Sequence, residues 1–267
     1  MTTHHVIWIT GASSGIGQAL CRYYAEQGCT VVATARSQVS LEQSFAAMPE
    51  VHCLAGDVTD GAKMKQLAEV IAQRFNHINE LIVNAGNCEY IDELPVDVSL
   101  TERLMAVNYH GAINTINAGL PLLQNCPEQA TIIGVCSQVI FAPFCRSEAY
   151  GASKAALDYF LQSLRIDLKA ASIDVSIAYP GFVKTPLTDK NTFDMPFLIS
   201  AEQAAIRIDQ GLSRQQQRII FPRRLKLMLG LSRWLPSLWQ RWMLKGQTAQ
   251  FSEQTTAEHS ISTQDSP

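Results

Sequence analysis

The sequence has no uninterrupted apolar run of about 18 residues or more, so we expect no membrane-spanning helix. It also has no excess of basic charge, because 21 Lys and Arg residues are opposed by 24 Asp and Glu residues, for a net charge of -3. Without a global positive field, nucleic acid is not an expected partner. The first residues show no basic region followed by a long apolar segment, so we expect no secretory signal and a cytoplasmic protein.

Cysteine is present but forms no recognisable motif. The seven cysteines are scattered, and they include neither a C-x-x-C pair nor a Cys/His cluster with the spacing of metal ligands. We therefore predict no metal site, and we interpret the thiols as small buried apolar groups in a reducing compartment. The 267 residues and 47% hydrophobic content suffice for one large core, and we favour a single domain.

Short β-branched apolar runs alternate regularly with helical patterns. The runs predict strands at 6–10, 30–35, 51–55, 80–85, 130–136, 174–180 and 218–221. Helical patterns lie between them at about 15–27, 61–76, 99–124, 148–171 and 201–213. This alternation predicts an α/β fold, with a doubly wound parallel sheet of about seven strands between two layers of helices. We expect this catalytic domain to cover residues 1–222.

The first predicted strand runs into a glycine-rich turn, "TGASSGIG", at 10–17. Gly11, Gly15 and Gly17 would let a pyrophosphate approach the backbone amides at the positive end of the following helix. The second strand ends in Arg36, where a carboxylate would bind the ribose 2'-hydroxyl of NAD. A guanidinium suits a 2'-phosphate, so we predict a Rossmann-type fold that prefers NADP(H) to NAD(H). The alternatives are a glycine turn without a ligand and an arginine that is only a solvated loop charge.

Three polar side chains indicate proton chemistry. Tyr150 and Lys154 stand one helical turn apart in "YGASK", which puts both side chains on one face of a helix. An ammonium beside a phenol stabilises phenolate, so Lys154 is expected to lower the pKa of Tyr150. Ser137 follows a predicted strand, and its hydroxyl could donate to a substrate oxygen as negative charge develops there. The structural alternatives are a helix-capping serine and a surface tyrosine.

Together these segments resemble the classical short-chain dehydrogenase/reductases over about residues 5–221. The matching motifs, in the family's order, are "TGASSGIG", "NAG" at 84–86, Asn108 in "VNYHG", Ser137, "YGASK" and "PGFVKT" at 180–185. The resemblance implies hydride transfer between a nicotinamide and a carbonyl or alcohol. In that family Tyr150 would be the acid/base and Ser137 would orient the carbonyl. Lys154 would also bind the ribose, and Asn108 would hold a relay water.

The resemblance also implies a set of dinucleotide contacts along the chain. Besides the residues already named, these are Ser13, Ser14, Ile16, Ser37, Asp57, Val58, Asn84, Ala85, Gly86, Pro180, Gly181, Val183 and Thr185. Asp57 has an alternative role as a simple helix cap. Cys136 before the serine and Val83 before "NAG" depart from the common family pattern, which prevents an inference from loop shape to a known substrate. The alternative functions are a non-catalytic dinucleotide-binding regulator, and an epimerase or dehydratase of the same family.

Apolar side chains follow both the serine and the "PGFVKT" segment. Val139, Phe141, Phe144 and Phe182 predict an apolar carbonyl or alcohol as substrate. The alternative is that several of them only pack a lid against the body of the domain. Family members are often dimers or tetramers, so we expect a homodimer or homotetramer.

The stretch 223–246 is predicted to be a basic amphipathic helical extension. Between 214 and 245 the chain has no Asp or Glu and eight basic residues: Arg214, Arg218, Arg223, Arg224, Lys226, Arg233, Arg241 and Lys245. The apolar residues that recur at helical spacing are Leu231, Trp234, Leu235, Leu238, Trp239 and Trp242. Pro236 is placed to start a second helix.

Two interpretations of this extension remain open. In the first, residues 223–245 lie in an anionic interface on the inner face of a membrane. In the second, the helix folds over the substrate mouth or onto a second subunit. The polar tail at 247–267 loses all periodicity and is predicted to be disordered.

Overall fold

A computed structural model describes residues 5–191 and 193–244, so the tail predicted to be disordered lies outside the described residues. The strands are β1 Val6–Thr10, β2 Thr30–Ala35, β3 Val51–Ala55, β4 Glu80–Val83, β5 Ala130–Val135, β6 Ile173–Pro180, β7 Val183–Lys184, β8 Ile199–Ser200 and β9 Arg218–Phe221. Seven of them form one sheet in the order β3-β2-β1-β4-β5-β6-β9, and all neighbours are parallel. The predicted seven-stranded, Rossmann-type sheet is confirmed.

Helices cover both faces of the sheet. They are α1 Gly15–Glu26, α2 Gln38–Phe45, α3 Gly61–Phe75, α4 Val98–Met105, α5 Gly111–Gln124, α6 Glu148–Leu168, α7 Ala201–Ser213 and α8 Arg223–Trp234. A π-helical turn, Ala106–His110, joins α4 to α5, and 3-10 turns cover Gln138–Phe141 and Lys169–Ala171. Residues 236–244 are helical as well. Within the described part of the chain, no helix is long and apolar enough to cross a membrane.

The core lies on both sides of the sheet because successive residues of a strand point to opposite faces. In β1 all five residues are buried. Val6 and Trp8 pack beneath α3, α5 and α6, whereas Ile7 and Ile9 pack beneath α1 and α7. Trp8 Nε1 donates to Thr34 Oγ1 at 2.9 Å, so the indole N–H is satisfied inside the core. Each large apolar side chain buried in this way stabilises the fold by roughly 1.5–3 kcal/mol.

The strand order places a crevice at the carboxyl end of the sheet. After β1 the chain continues to β2 and β3 on one side, and β4 then pairs with the other side of β1. This reversal is a topological switch point, the position where open α/β sheets bind ligands. The segments that follow β1, β4 and β5 therefore meet at one edge.

Candidate active site

The glycine-rich turn between β1 and α1 forms one wall of a cavity of about 380 Å³. Gly11 and Gly15 have φ angles of +69° and +56°, which glycine adopts without strain. A Cβ on Gly17 would lie 2.2 Å from the Gly11 carbonyl oxygen, so α1 can approach the turn only without a side chain there. Asn84 Nδ2 holds the turn in place by donating to the backbone oxygens of Thr10 at 3.0 Å and Gly11 at 3.2 Å.

The same turn presents the free N-terminus of a helix to the cavity. Ser14 is the N-cap residue of α1, and its side chain makes no capping hydrogen bond. The first turn of α1 also contains no acidic residue. The amides at this positive helix end are therefore suited to an anionic ligand, and the pyrophosphate of a dinucleotide fits them. Ser13 and Ile16 line the cavity beside Ser14, as expected.

Arg36 lies at the end of β2, where it lines the cavity and is exposed to solvent. It forms no ion pair with any residue that the structure describes. Ser37, expected beside it as a cofactor contact, does not line the cavity. Its hydroxyl instead caps α2 by accepting a hydrogen bond from Ser40 N at 3.2 Å. The cofactor contact predicted for Ser37 stays a prediction, and its hydroxyl has a structural role at the start of α2.

Asp57 lines the cavity together with Val58. Its Oδ1 accepts hydrogen bonds from the backbone N of Thr59 at 2.9 Å and from Thr59 Oγ1 at 2.8 Å. The N-cap of α3 is Asp60, whose side chain accepts from Lys63 N. The alternative interpretation of Asp57 as the helix cap is therefore wrong.

Ser137, Tyr150 and Lys154 meet in this cavity beyond the glycine turn. Ser137 follows β5, and its Oγ accepts a hydrogen bond from Val139 N at 3.2 Å, so the serine also caps the short turn after it. Tyr150 and Lys154 lie in the first turns of α6. Lys154 is buried, and its Nζ donates to the backbone oxygen of Val135 at 3.1 Å. The predicted constellation of serine, tyrosine and lysine is thus assembled.

Burial dominates the protonation of both titratable groups. It raises the pKa of Tyr150 above the ordinary value near 10, and a side-chain hydrogen bond with Ser137 opposes this effect. It also lowers the pKa of Lys154, which has no carboxylate partner among the described residues. The effect predicted for Lys154 on the pKa of Tyr150 stays a prediction, because burial sets the net direction in the chain alone. The ammonium is directed to a backbone carbonyl, and desolvation of the phenol has the larger effect.

Asn108 lies in the π-helical turn and is fully buried outside the cavity lining. Its Oδ1 accepts from Asn87 N at 2.7 Å, while Nδ2 donates to Asn87 O and to Ser153 Oγ, both at 2.9 Å. Ser153 Oγ in turn donates to the backbone oxygen of Tyr150 at 2.8 Å. Both amide N–H groups are used, so only the remaining lone pair of Oδ1 is left for the relay water that the family resemblance implies.

The other walls agree with most of the expected dinucleotide contacts. The expected residues that line the cavity are Asn84, Ala85, Gly86, Pro180, Gly181, Val183 and Thr185. Further lining residues were not predicted: Thr34, Ala35, Gly56, Asn87, Val107, Val135, Cys136, Leu187 and Thr188. Most of these are direct neighbours of the motifs. Thr188 Oγ1 donates to Val183 O at 2.7 Å. Its position three residues after Thr185 is the sequence feature that could have indicated this lining residue.

Comparison with known proteins identifies the family. The family model described as short chain dehydrogenase matches residues 5–195. This chain belongs to the short-chain dehydrogenases. An uncharacterized oxidoreductase of Myxococcus xanthus is 30% identical over 233 residues, which cover 86% of this chain and 92% of the relative. This short-chain dehydrogenase is accordingly an oxidoreductase of CH-OH and C=O groups.

Two further relatives have more specific names. The 11-beta-hydroxysteroid dehydrogenase A of Sesamum indicum is 30% identical over 190 residues, covering 68% of this chain and 53% of the relative. A benzil reductase ((S)-benzoin forming) of Saccharomyces cerevisiae is 31% identical over 192 residues, covering 68% and 73%. A short chain dehydrogenase/reductase from Burkholderia phymatum, solved in complex with NAD, has a TM-score of 0.80 at 21% identity, covering 89% of this chain and 96% of that one.

The four predicted substrate residues do not line the cavity of this short-chain dehydrogenase. The Phe141 ring packs on Tyr179 with centroids 5.4 Å apart, and Phe144 meets Trp239 edge-on at 5.6 Å. Val139 is half-buried in the turn after the serine, and Phe182 joins the apolar cluster around Trp239. That they contact an apolar substrate stays a prediction. The alternative, that such residues pack against the body of the domain, describes Phe141, whose partner Tyr179 lies in β6, whereas Phe144 packs against the helical residues at 236–244.

A set of aromatic contacts near Tyr150 was not predicted. Tyr90, in the loop after β4, meets Phe193 edge-on with centroids 6.0 Å apart, and its hydroxyl donates to Asn191 Oδ1 at 2.8 Å. Phe193 contacts Phe182 with centroids 6.0 Å apart. Tyr90 is close enough to Tyr150 to raise its pKa. The three rings therefore connect the loop after β4, near Tyr150, to the segment that follows β6.

Proposed function

We propose that this short-chain dehydrogenase transfers hydride between NADP(H) and the carbonyl or alcohol carbon of an apolar small molecule. One observation carries the proposal: a single cavity is lined by the glycine turn, by Arg36, and by Ser137, Tyr150 and Lys154. The nicotinamide, when bound, would supply or accept the hydride. The chain would supply the binding, the orientation and the proton.

Tyr150 would donate a proton to the substrate oxygen during reduction and remove it during oxidation. Since burial raises the pKa of its phenol, the tyrosine is protonated at neutral pH, as a proton donor must be. Ser137 would donate a hydrogen bond to the same oxygen. Lys154 would donate to ribose hydroxyls, and these acceptors would compensate a buried ammonium for its lost water.

Arg36 supports the preference for NADP(H). It is exposed at the end of β2, it lines the cavity, and no residue of the described chain forms an ion pair with it. A guanidinium in this state can form charge-assisted hydrogen bonds with a 2'-phosphate. The structural neighbour from Burkholderia phymatum was solved with NAD and so does not support a preference for NADP(H). The proposed preference therefore depends on Arg36 alone.

An apolar substrate is supported by the ring of Tyr90, which lies close enough to Tyr150 to affect its pKa and which contacts Phe193 edge-on. Aromatic walls favour apolar ligands, with a few polar groups fixing the orientation. The relatives named as a hydroxysteroid dehydrogenase and a benzil reductase support the same substrate class.

The cofactor preference is tested with Arg36→Ala. Loss of a charged hydrogen-bond donor costs about 1.5–3 kcal/mol, so the Kd for NADPH should rise about 10-fold to 100-fold while the Kd for NADH changes little. Dinucleotide fluorescence titrations would measure both constants. Arg22→Ala is the control, because Arg22 is exposed on α1 and donates to Ser44 O rather than lining the cavity. Equal losses for the two dinucleotides would refute the preference.

The chemistry is tested with Tyr150→Phe and a panel of apolar aldehydes and ketones in the presence of NADPH. We expect turnover by the unmodified chain and its loss in the variant, with NADPH binding retained. Turnover that survives the substitution would remove Tyr150 from the mechanism. A chain that binds NADPH but reduces no member of the panel would favour the non-catalytic regulator.

A further inference from the structure

The C-terminal arm, defined here as residues 223–244, packs against the catalytic domain through one side only. The apolar side chains buried on that side are Leu225, Leu229 and Trp239, which pack with Ala142, Phe144 and Phe182. Trp239 Nε1 also donates to the backbone oxygen of Pro143 at 2.7 Å. The inward side of the arm therefore rests on the loop that follows Ser137.

The outward side of α8 carries a second apolar stripe. Leu227, Leu231 and Trp234 stand at positions i, i+4 and i+7, which share one face of a helix, and they are 73%, 60% and 83% exposed. The helical residues at 236–244 add Leu238 and Trp242, which are 60% and 49% exposed. A helix that is apolar on opposite sides is typical of a segment covered on both. Within the described part of the chain, nothing covers this outward side.

The charge around this stripe indicates which kind of surface it would bind. Arg223, Arg224, Lys226 and Arg241 are exposed, and none of them forms an ion pair with a described residue. The sequence between 214 and 245 contains eight basic residues and no acidic one, although the whole chain has a net charge of -3. Exposed tryptophans beside uncompensated basic residues suit the headgroup region of an anionic bilayer. A second copy placed arm against arm would bring like charges together.

We propose that the outward side of the C-terminal arm docks on an anionic lipid surface. Trp234 and Trp242 would enter the headgroup region, and the arginines and lysines would contact lipid phosphates. Among the described residues no helix can cross a membrane, so the contact is peripheral. This proposal concerns the outward side of the arm and does not depend on the identity of the substrate.

The test is sedimentation of the full chain with vesicles of phosphatidylcholine alone or of phosphatidylcholine mixed with phosphatidylglycerol. We expect binding to the mixed vesicles only, weakened by added salt. The variant Leu227→Gln, Leu231→Gln, Trp234→Gln keeps every charge and should abolish binding. The variant Arg223→Gln, Arg224→Gln, Lys226→Gln should weaken binding about a hundredfold, since each basic residue near the surface contributes a factor of about five.

The matched control is Tyr159→Gln with Ile166→Gln, because these apolar residues are 78% and 76% exposed on α6 rather than on the arm. The control should bind like the unmodified chain, and circular dichroism should show that every variant is folded. Equal sedimentation with both kinds of vesicle, or none with either, would overturn the proposal. Unchanged binding by the apolar variant would do the same. Analytical ultracentrifugation that shows a dimer lost in that variant would assign the stripe to a second copy instead.

Discussion

Replacement of Asn108 by alanine is expected to lower the free energy of unfolding by about 3 kcal/mol. The amide is fully buried, and it makes two hydrogen bonds to the backbone of Asn87 and one to Ser153. Each contributes about 1 kcal/mol net, and alanine leaves the Asn87 N–H without its acceptor. Because Ser153 also contacts the backbone of Tyr150, the loss should loosen the start of α6 as well as the loop after β4.

Urea denaturation followed by circular dichroism would measure this change. The matched control is Asn114→Ala on α5, where Nδ2 donates to Val58 O at 3.0 Å and Thr59 O at 3.3 Å from a partly exposed position. Solvent can replace those bonds, so the control should lose about 1 kcal/mol or less. If the two variants lose the same stability, the buried amide network does not hold the π-helical turn to α6, and the reasoning fails.

Two other predictions concern the dinucleotide site and the proton donor. Gly17→Ala should weaken NADPH binding more than tenfold in fluorescence titrations, because a Cβ would lie 2.2 Å from Gly11 O and 2.5 Å from Asn84 Nδ2. The control is Gly230→Ala, because Gly230 has open space around it. Equal affinity for NADPH in both variants would contradict the prediction. Without dinucleotide, the phenolate absorbance lost in Tyr150→Phe should titrate above pH ~10, because burial raises the pKa of Tyr150. Reduction, which needs the protonated phenol, should then stay constant as pH rises toward that value, whereas oxidation should accelerate; a midpoint below the ordinary value would be the opposite result.

The strands of the sheet could be predicted because a strand buried on both faces forms a continuous apolar run. β1 is an example, since all five of its residues are buried. The fourth strand ends two residues earlier than predicted, at Val83, and its neighbour Asn84 turns to the glycine loop. Helix α2 was missed because it buries only Leu41 and Phe45, which leaves little periodicity to detect.

Much of the candidate site could be predicted because its motifs follow strands whose carboxyl ends meet at one edge. Contacts between irregular loops could not. The meeting of Tyr90 with Phe193 depends on how two loops fold, and no spacing in the sequence indicates it. Desolvation of the Tyr150 phenol, which raises its pKa, is equally invisible in the sequence because it depends on tertiary packing.

The C-terminal arm shows why helical spacing alone left two interpretations open. Trp239 and Trp242 are neighbours with ring centroids 5.1 Å apart, yet only Trp239 is buried, because it meets Phe144 and the backbone of Pro143. The spacing of apolar residues in the sequence indicates an apolar helix face, whereas tertiary packing determines which side of the helix contacts the protein. The two interpretations therefore need not compete. A substitution at Trp239 should disturb the loop after Ser137, whereas one at the exposed Trp234 should change only what the outward side binds.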